Sequence, residues 1–177
     1  MWAVIEHAEH DSAGSVPAAL EAAGCQWLSV RRSAGERLPA VDCLDGLIVL
    51  GGPGPSADDD SVAHLVEERA LIADAVRRQL PVLGIYLGAQ LLAVALGGTV
   101  LAASPPEIGM STVRLTDAGA ADSVLGPLTS PFPVLQWHHD TARIGPELAP
   151  FRLDAETVTQ AHRVGRSVLD RFLRLAA

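Results

Sequence analysis

Twice in this chain a short, wholly apolar run empties directly into a glycine-bearing turn and then into a segment with helical patterning. Gly46-Leu-Ile-Val-Leu50 leads into Gly51-Gly-Pro-Gly-Pro55, and Pro81-Val-Leu-Gly-Ile85 leads into Tyr86-Leu-Gly-Ala-Gln90. Apolar runs of this length without polar alternation read as strands buried on both faces, and such strands belong to parallel sheets covered by helices. A strand that turns tightly into a helix also points backbone amides and the positive end of the helix at the carboxyl edge of the sheet. This feature narrows the chain to the α/β class and says where a ligand would bind.

The flanking segments agree. Trp2-Ala-Val-Ile5 is a short apolar strand. Val16 to Ala23 is Ala-rich and helical, closed by Gly24 as its C-cap, and Trp27 to Val30 is a second strand. Asp58, Asp59 and Asp60 precede Ser61, a candidate N-cap for an amphipathic helix carrying Val62, Leu65, Val66, Ile72, Ala73 and Val76. Leu91 to Leu96 is an apolar helix ended by Gly97-Gly98. Strands alternating with helices predict a doubly wound, mostly parallel sheet with helices on both faces. Beyond Gly98 the pattern changes to short strand candidates, Thr99 to Leu101, Ser111 to Leu115 and Pro133 to Trp137, punctuated by prolines. They are expected to form a β-rich extension of the same sheet. Ser167 to Leu175 closes the pattern as a helix, while 155–166 is left open. The 177 residues, read as 1–177, suit one domain of this type.

Composition excludes several kinds of chemistry. All 13 basic residues are Arg, and neither Lys nor Asn occurs. Schiff-base catalysis, pyridoxal-phosphate attachment and a Walker lysine are therefore ruled out for these residues. A net charge of −8 opposes a nucleic-acid surface, which needs a basic face. No apolar run approaches the roughly 18 residues of a membrane span. Two cysteines, Cys25 and Cys43, and a start without a basic region or cleavage site predict a cytoplasmic, reduced protein.

The turn after Ile85 has the form of a nucleophile elbow, which projects one side chain into the cleft while the following amides face it. That side chain is Tyr86, the one tyrosine of the chain. A phenol, with a reference pKa near 10, is a weak nucleophile. The ring therefore either fills the pocket or transfers protons. Other clusters read as structural. Asp58, Asp59 and Asp60 near His64 complement a helix dipole more readily than they bind a metal. Cys25 and Cys43 read as small buried hydrophobes. Arg163, Arg166, Arg171 and Arg174 read as a solvated helix face, and His162 as a candidate substitute base in the open segment.

Four segments in order, Gly51-Gly-Pro-Gly54, Pro81 to Ala93, Pro106-Glu-Ile-Gly109 and Val134-Leu-Gln-Trp-His-His-Asp-Thr141, make the chain similar to class I glutamine amidotransferases, particularly the compact GMP-synthase-like branch. The resemblance implies a flavodoxin-like sandwich. In that family an elbow cysteine attacks the glutamine amide, and a late His-Pro-Glu supplies the base and its orienter. Here Tyr86 stands at the cysteine position, and Gln160-Ala-His-Arg-Val-Gly165 is followed by a helix without a His-Pro-Glu. By resemblance, the amides at Gly51, Gly52 and Leu87 form the oxyanion cradle, Gln90 faces the ligand, and Glu107, His138 and His139 lie near the cleft mouth. Adjacent strand residues point to opposite faces, so one histidine of the pair faces the pocket, and His138 is favoured. The expected protein is a divergent amidotransferase-like chain without glutaminase activity. Its pocket would be reused for a small carbonyl- or carboxylate-bearing metabolite, with Tyr86, His138 and Glu107 in acid–base roles. The alternative is an inactive partner or scaffold subunit of a synthetase, or a homodimer. Neither a cofactor nor a metal is implied.

Overall fold

In the computed structural model, which describes residues 1–8, 13–54, 56–143 and 162–175, four parallel strands form the sheet. They are β1 (Trp2–Glu6), β2 (Trp27–Arg31), β3 (Gly46–Val49) and β4 (Val82–Gly84), in the order β2-β1-β3-β4. Their side chains alternate between two separate cores. Trp2, Val4, Ile48 and Leu83 point to one face and meet Val16, Ala19 and Leu20 of α1 (Val16–Ala22) and Val168, Leu169 and Leu173 of α5 (His162–Leu175). Ala3, Ile5, Leu47 and Val49 point to the other and meet Leu65, Ile72 and Ala75 of α2 (Ala63–Arg77) and Leu87 and Leu91 of α3 (Leu87–Ala95). Period-two burial on both faces explains why these strands read as continuous apolar runs. The doubly wound expectation holds.

The C-terminal extension differs from expectation. The short runs belong to two long strands, β5 (Thr99–Val113) and β6 (Phe132–Arg143), which pair antiparallel in a sheet of their own. They satisfy each other's backbone groups, and the ribbon packs on α3 instead of extending the main sheet beyond β4. Pro105 and Pro106, which lack amide donors, do not end β5. They fall where the register jumps from Ala102 opposite Asp140 to Glu107 opposite His138. Between the strands lies α4 (Asp117–Ala121), capped by Thr116, whose Oγ1 accepts from the Gly119 amide at 3.0 Å.

Several boundaries also move. The N-cap of α2 is Val62, because Ser61 instead donates its hydroxyl and amide to Asp59. The third core helix starts at Leu87 and not at Leu91. Gly24, at φ 71°, follows the Ala23 cap of α1. Val66 is exposed, whereas Glu68 on the same helix is buried. The last helix extends back to His162, and 155–161 of the open segment lie outside the described residues.

Candidate functional site

All four strands of the main sheet end at one edge, and the site is assembled there. Tyr86 follows β4 and caps α3 with φ 55° and ψ −113°. This backbone conformation is rare for a residue with a Cβ and costs about 1–3 kcal/mol. The packing around it enforces the turn. A Cβ on Gly88 would come within 2.0 Å of the Val49 carbonyl oxygen, and one on Gly84 within 2.5 Å of the Gly88 oxygen. Only glycine two residues on either side of Tyr86 lets β4 turn this closely into α3. The Gly88 amide donates to Leu50 O at 3.2 Å and the Ile85 amide to Val49 O at 2.8 Å, tying the elbow to the end of β3. The Tyr86 ring packs on the core beneath α2 and α3.

Beside the elbow lies the turn that follows β3. A Cβ on Gly51 would stand 3.1 Å from Tyr86 Cβ. Among the described residues no carbonyl pairs with the Gly52 or Leu87 amides. Leu87 is the first residue of α3, where amides have no intrahelical partner. Two such donors beside a helix N-terminus suit a carbonyl or carboxylate oxygen.

The third component was not foreseen. His7, just past β1, donates Nδ1–H to the Gly51 carbonyl at 3.2 Å, and its Nε2 lies 2.6 Å from Glu68 Oε2. The other Glu68 oxygen accepts from Arg32 Nε at 3.1 Å, and Arg32 also reaches Glu67 at 2.6 Å and the Glu36 carbonyl. The side chains of His7, Glu68 and Arg32 are 3%, 0% and 7% exposed, so the set is almost wholly out of water. A signal for it does exist in the sequence. Glu68 falls on the apolar stripe of α2, between Leu65 and Ile72, where a carboxylate requires a partner. A cavity of about 170 Å³ opens beside this set, bounded by His7, Arg32, Ser33, Gly54, His64 and Leu87.

Of the residues expected at the site, Gly51, Gly52, Tyr86 and Leu87 come together at the sheet edge. Gln90 is buried one turn into α3, its backbone N–H donating to Tyr86 O at 3.1 Å. Glu107 and His138 are paired across the β5–β6 register, and His139 falls in its irregularity. The ribbon carrying them lies against α3. Asp58, Asp59 and Asp60 are engaged locally with Ser56, Ser61 and Arg69, and α2 has no acid in its first turn, so they do not complement its dipole. The Ser61 hydroxyl and amide hold the Asp59 carboxyl below its ordinary value. Among the described residues no group of His, Cys, Asp and Glu forms a metal cluster. Cys43 is exposed because it sits in a 3-10 turn before β3, contrary to the buried reading, while Cys25 packs at the edge of the α1 core. Arg171 donates to the Val124 carbonyl at 3.2 Å and so is not wholly part of a solvated face.

A doubly wound sheet with a strained elbow beside a glycine turn defines an α/β protein whose site lies at the carboxyl edge of its strands. Residues 14–165 match the family model of class I glutamine amidotransferases, and the chain belongs to that family. The glutamine amidotransferase-like protein YfeJ of Salmonella typhimurium is 35% identical over 77% of this chain and 59% of its own length. A glutamine-hydrolysing GMP synthase subunit from Thermoplasma acidophilum is 30% identical over 56% of this chain and 46% of its own. A glutamine amidotransferase crystal structure from Methylobacillus flagellatus superposes with a TM-score of 0.72 at 31% identity, covering 81% of this chain and 57% of that one. The chain thus spans about half to three-fifths of these relatives. A Thermotoga maritima glutamine amidotransferase, at 20% identity and TM-score 0.77, shares the fold over 97% of both chains. No described helix is long and apolar enough to cross a membrane.

Proposed function

We propose that this chain keeps the ligand cradle of its family without the glutaminase chemistry, and that the cradle takes a small carbonyl- or carboxylate-bearing metabolite. The observation that carries this reading is Tyr86 at the elbow. A thiolate at that point forms an acyl-enzyme, whereas a neutral phenol does not. The amides of Gly52 and Leu87 need no nucleophile in order to hold an oxygen, and Gln90 is the ligand-facing side chain in this reading. Tyr86, His138 and Glu107 act as proton-transfer groups in this reading, with His139 as the adjoining ligand contact. The decisive measurement is ammonia release with excess glutamine, run on the natural chain and on Tyr86→Cys. Neither is expected to turn over, because one restored member of a concerted set recovers little activity without its base. Sustained ammonia release by the natural chain overturns the reading.

A second reading is favoured by the relatives that carry the name of a GMP synthase component. In it, the chain is a catalytically silent subunit that docks on a synthetase. Thermal-shift screening separates the two readings: stabilisation by carbonyl or carboxylate metabolites supports the first, and stabilisation only by a purified synthetase supports the second.

A further inference from the structure

The peptide between Gly51 and Gly52 has a glycine on each side, so its two orientations are close in intrinsic energy and something outside the turn must select one. In a trans peptide the C=O and N–H point in opposite directions. His7 donates Nδ1–H to the Gly51 carbonyl at 3.2 Å, which turns the Gly52 N–H away from His7. His7 also crowds the turn, since its Cβ lies 2.4 Å from where a Cβ on Gly52 would stand. The ring is itself held. Nε2 faces Glu68 Oε2 at 2.6 Å, and the second oxygen of Glu68 is occupied by Arg32 Nε at 3.1 Å. Both ring nitrogens meet acceptors, so the imidazole cannot rotate without breaking a buried bond.

We propose that His7, braced by Glu68 and Arg32, is a positioning residue that sets the Gly51–Gly52 peptide and thereby aims the Gly52 amide at the ligand oxygen. This inference rests on the reading that the Gly52 and Leu87 amides form the ligand cradle. In this role His7 acts through the Gly51–Gly52 peptide and not through a bond of its own to the ligand oxygen. Its contribution is to remove the reorganisation that a floppy two-glycine turn would otherwise undergo on binding.

Two isosteric variants separate positioning from simple packing. In His7→Asn the side-chain nitrogen stands where Nδ1 is and keeps the bond to Gly51 while losing Glu68. In His7→Gln it stands where Nε2 is and keeps Glu68 while losing Gly51. The full chain, labelled with ¹³C and ¹⁵N, is examined by NMR without ligand and then titrated with sodium acetate. The Gly51 carbonyl and Gly52 amide shifts are expected to be retained in His7→Asn and to move in His7→Gln. Acetate binding is expected to weaken at least about tenfold in His7→Gln and to stay within about threefold in His7→Asn, as one hydrogen bond to a charged acceptor is worth about that much. Equal behaviour of the two variants, or the reverse order, overturns the proposal, as does a moved peptide that leaves acetate affinity unchanged. If the natural chain binds no acetate at its Gly52 and Leu87 amides, the cradle reading fails. The ligand-free shifts of the two variants then still decide whether His7 orients the turn.

Discussion

Glu68 carries a carboxylate at a point with no exposed surface, and its two oxygens hold an imidazole and a guanidinium from two different strand ends. Removing one member of such a buried set strands the others. Glu68→Ala is therefore expected to lower stability by about 3–5 kcal/mol, read as a fall in the urea midpoint at unchanged slope. A loss below about 1 kcal/mol would mean that the set is solvated in solution. This residue also marks a limit of what the sequence makes legible. One polar residue on an apolar stripe announces that a partner exists, but His7 and Arg32 are identified only once β1, β2 and α2 are placed in space. Tyr86 was legible for the opposite reason. Its glycine neighbours are local in sequence, and the local spacing imposes the turn.

At the scale of elements, the elbow stores strain that the surrounding packing holds in place. Tyr86 sits at φ 55°, where a Cβ is unfavourable and glycine is at ease. Truncating the ring to Ala removes its contacts and keeps the strain, whereas truncating it to Gly removes both. Thermal unfolding is expected to rank Tyr86→Gly above Tyr86→Ala by about 1 kcal/mol or more, the reverse of the usual order of these residues beside a helix. Equal stability would show that the turn relaxes. Core strands and helices were legible because each buries a whole face at a fixed period. The β5–β6 ribbon was not, because three short runs separated by prolines look the same whether they extend a sheet or join into two long strands. Only the pairing of Thr99 with Arg143 through Val113 with Phe132 decides between them.

For the molecule as a whole, the sheet is a partition between two cores that share no side chain. Leu20→Ala on one side and Ile72→Ala on the other are each expected to cost about 2–5 kcal/mol. Their effects should add to within about 0.5 kcal/mol in the double variant, measured by urea unfolding, since residues without shared partners rarely couple. A larger deviation would mean that the strands transmit repacking from face to face. The partition was legible from the apolar runs, but the pairing of α1 with α5 was not, as nothing local specifies a contact between the two far ends of a chain. That pairing matters during synthesis. Trp2 rests its ring edge-on against Phe172 at 5.9 Å, so the face bearing Trp2, Val4 and Ile48 is only partly covered, by α1 and Val124–Leu125, until residues 168–173 have left the ribosome. The opposite face is complete once α3 has emerged. At ordinary rates of translation the interval is on the order of ten seconds. For that time the nascent chain displays a sandwich with one wall half covered, a natural target for chaperones and a route to misassembly when many copies are made at once.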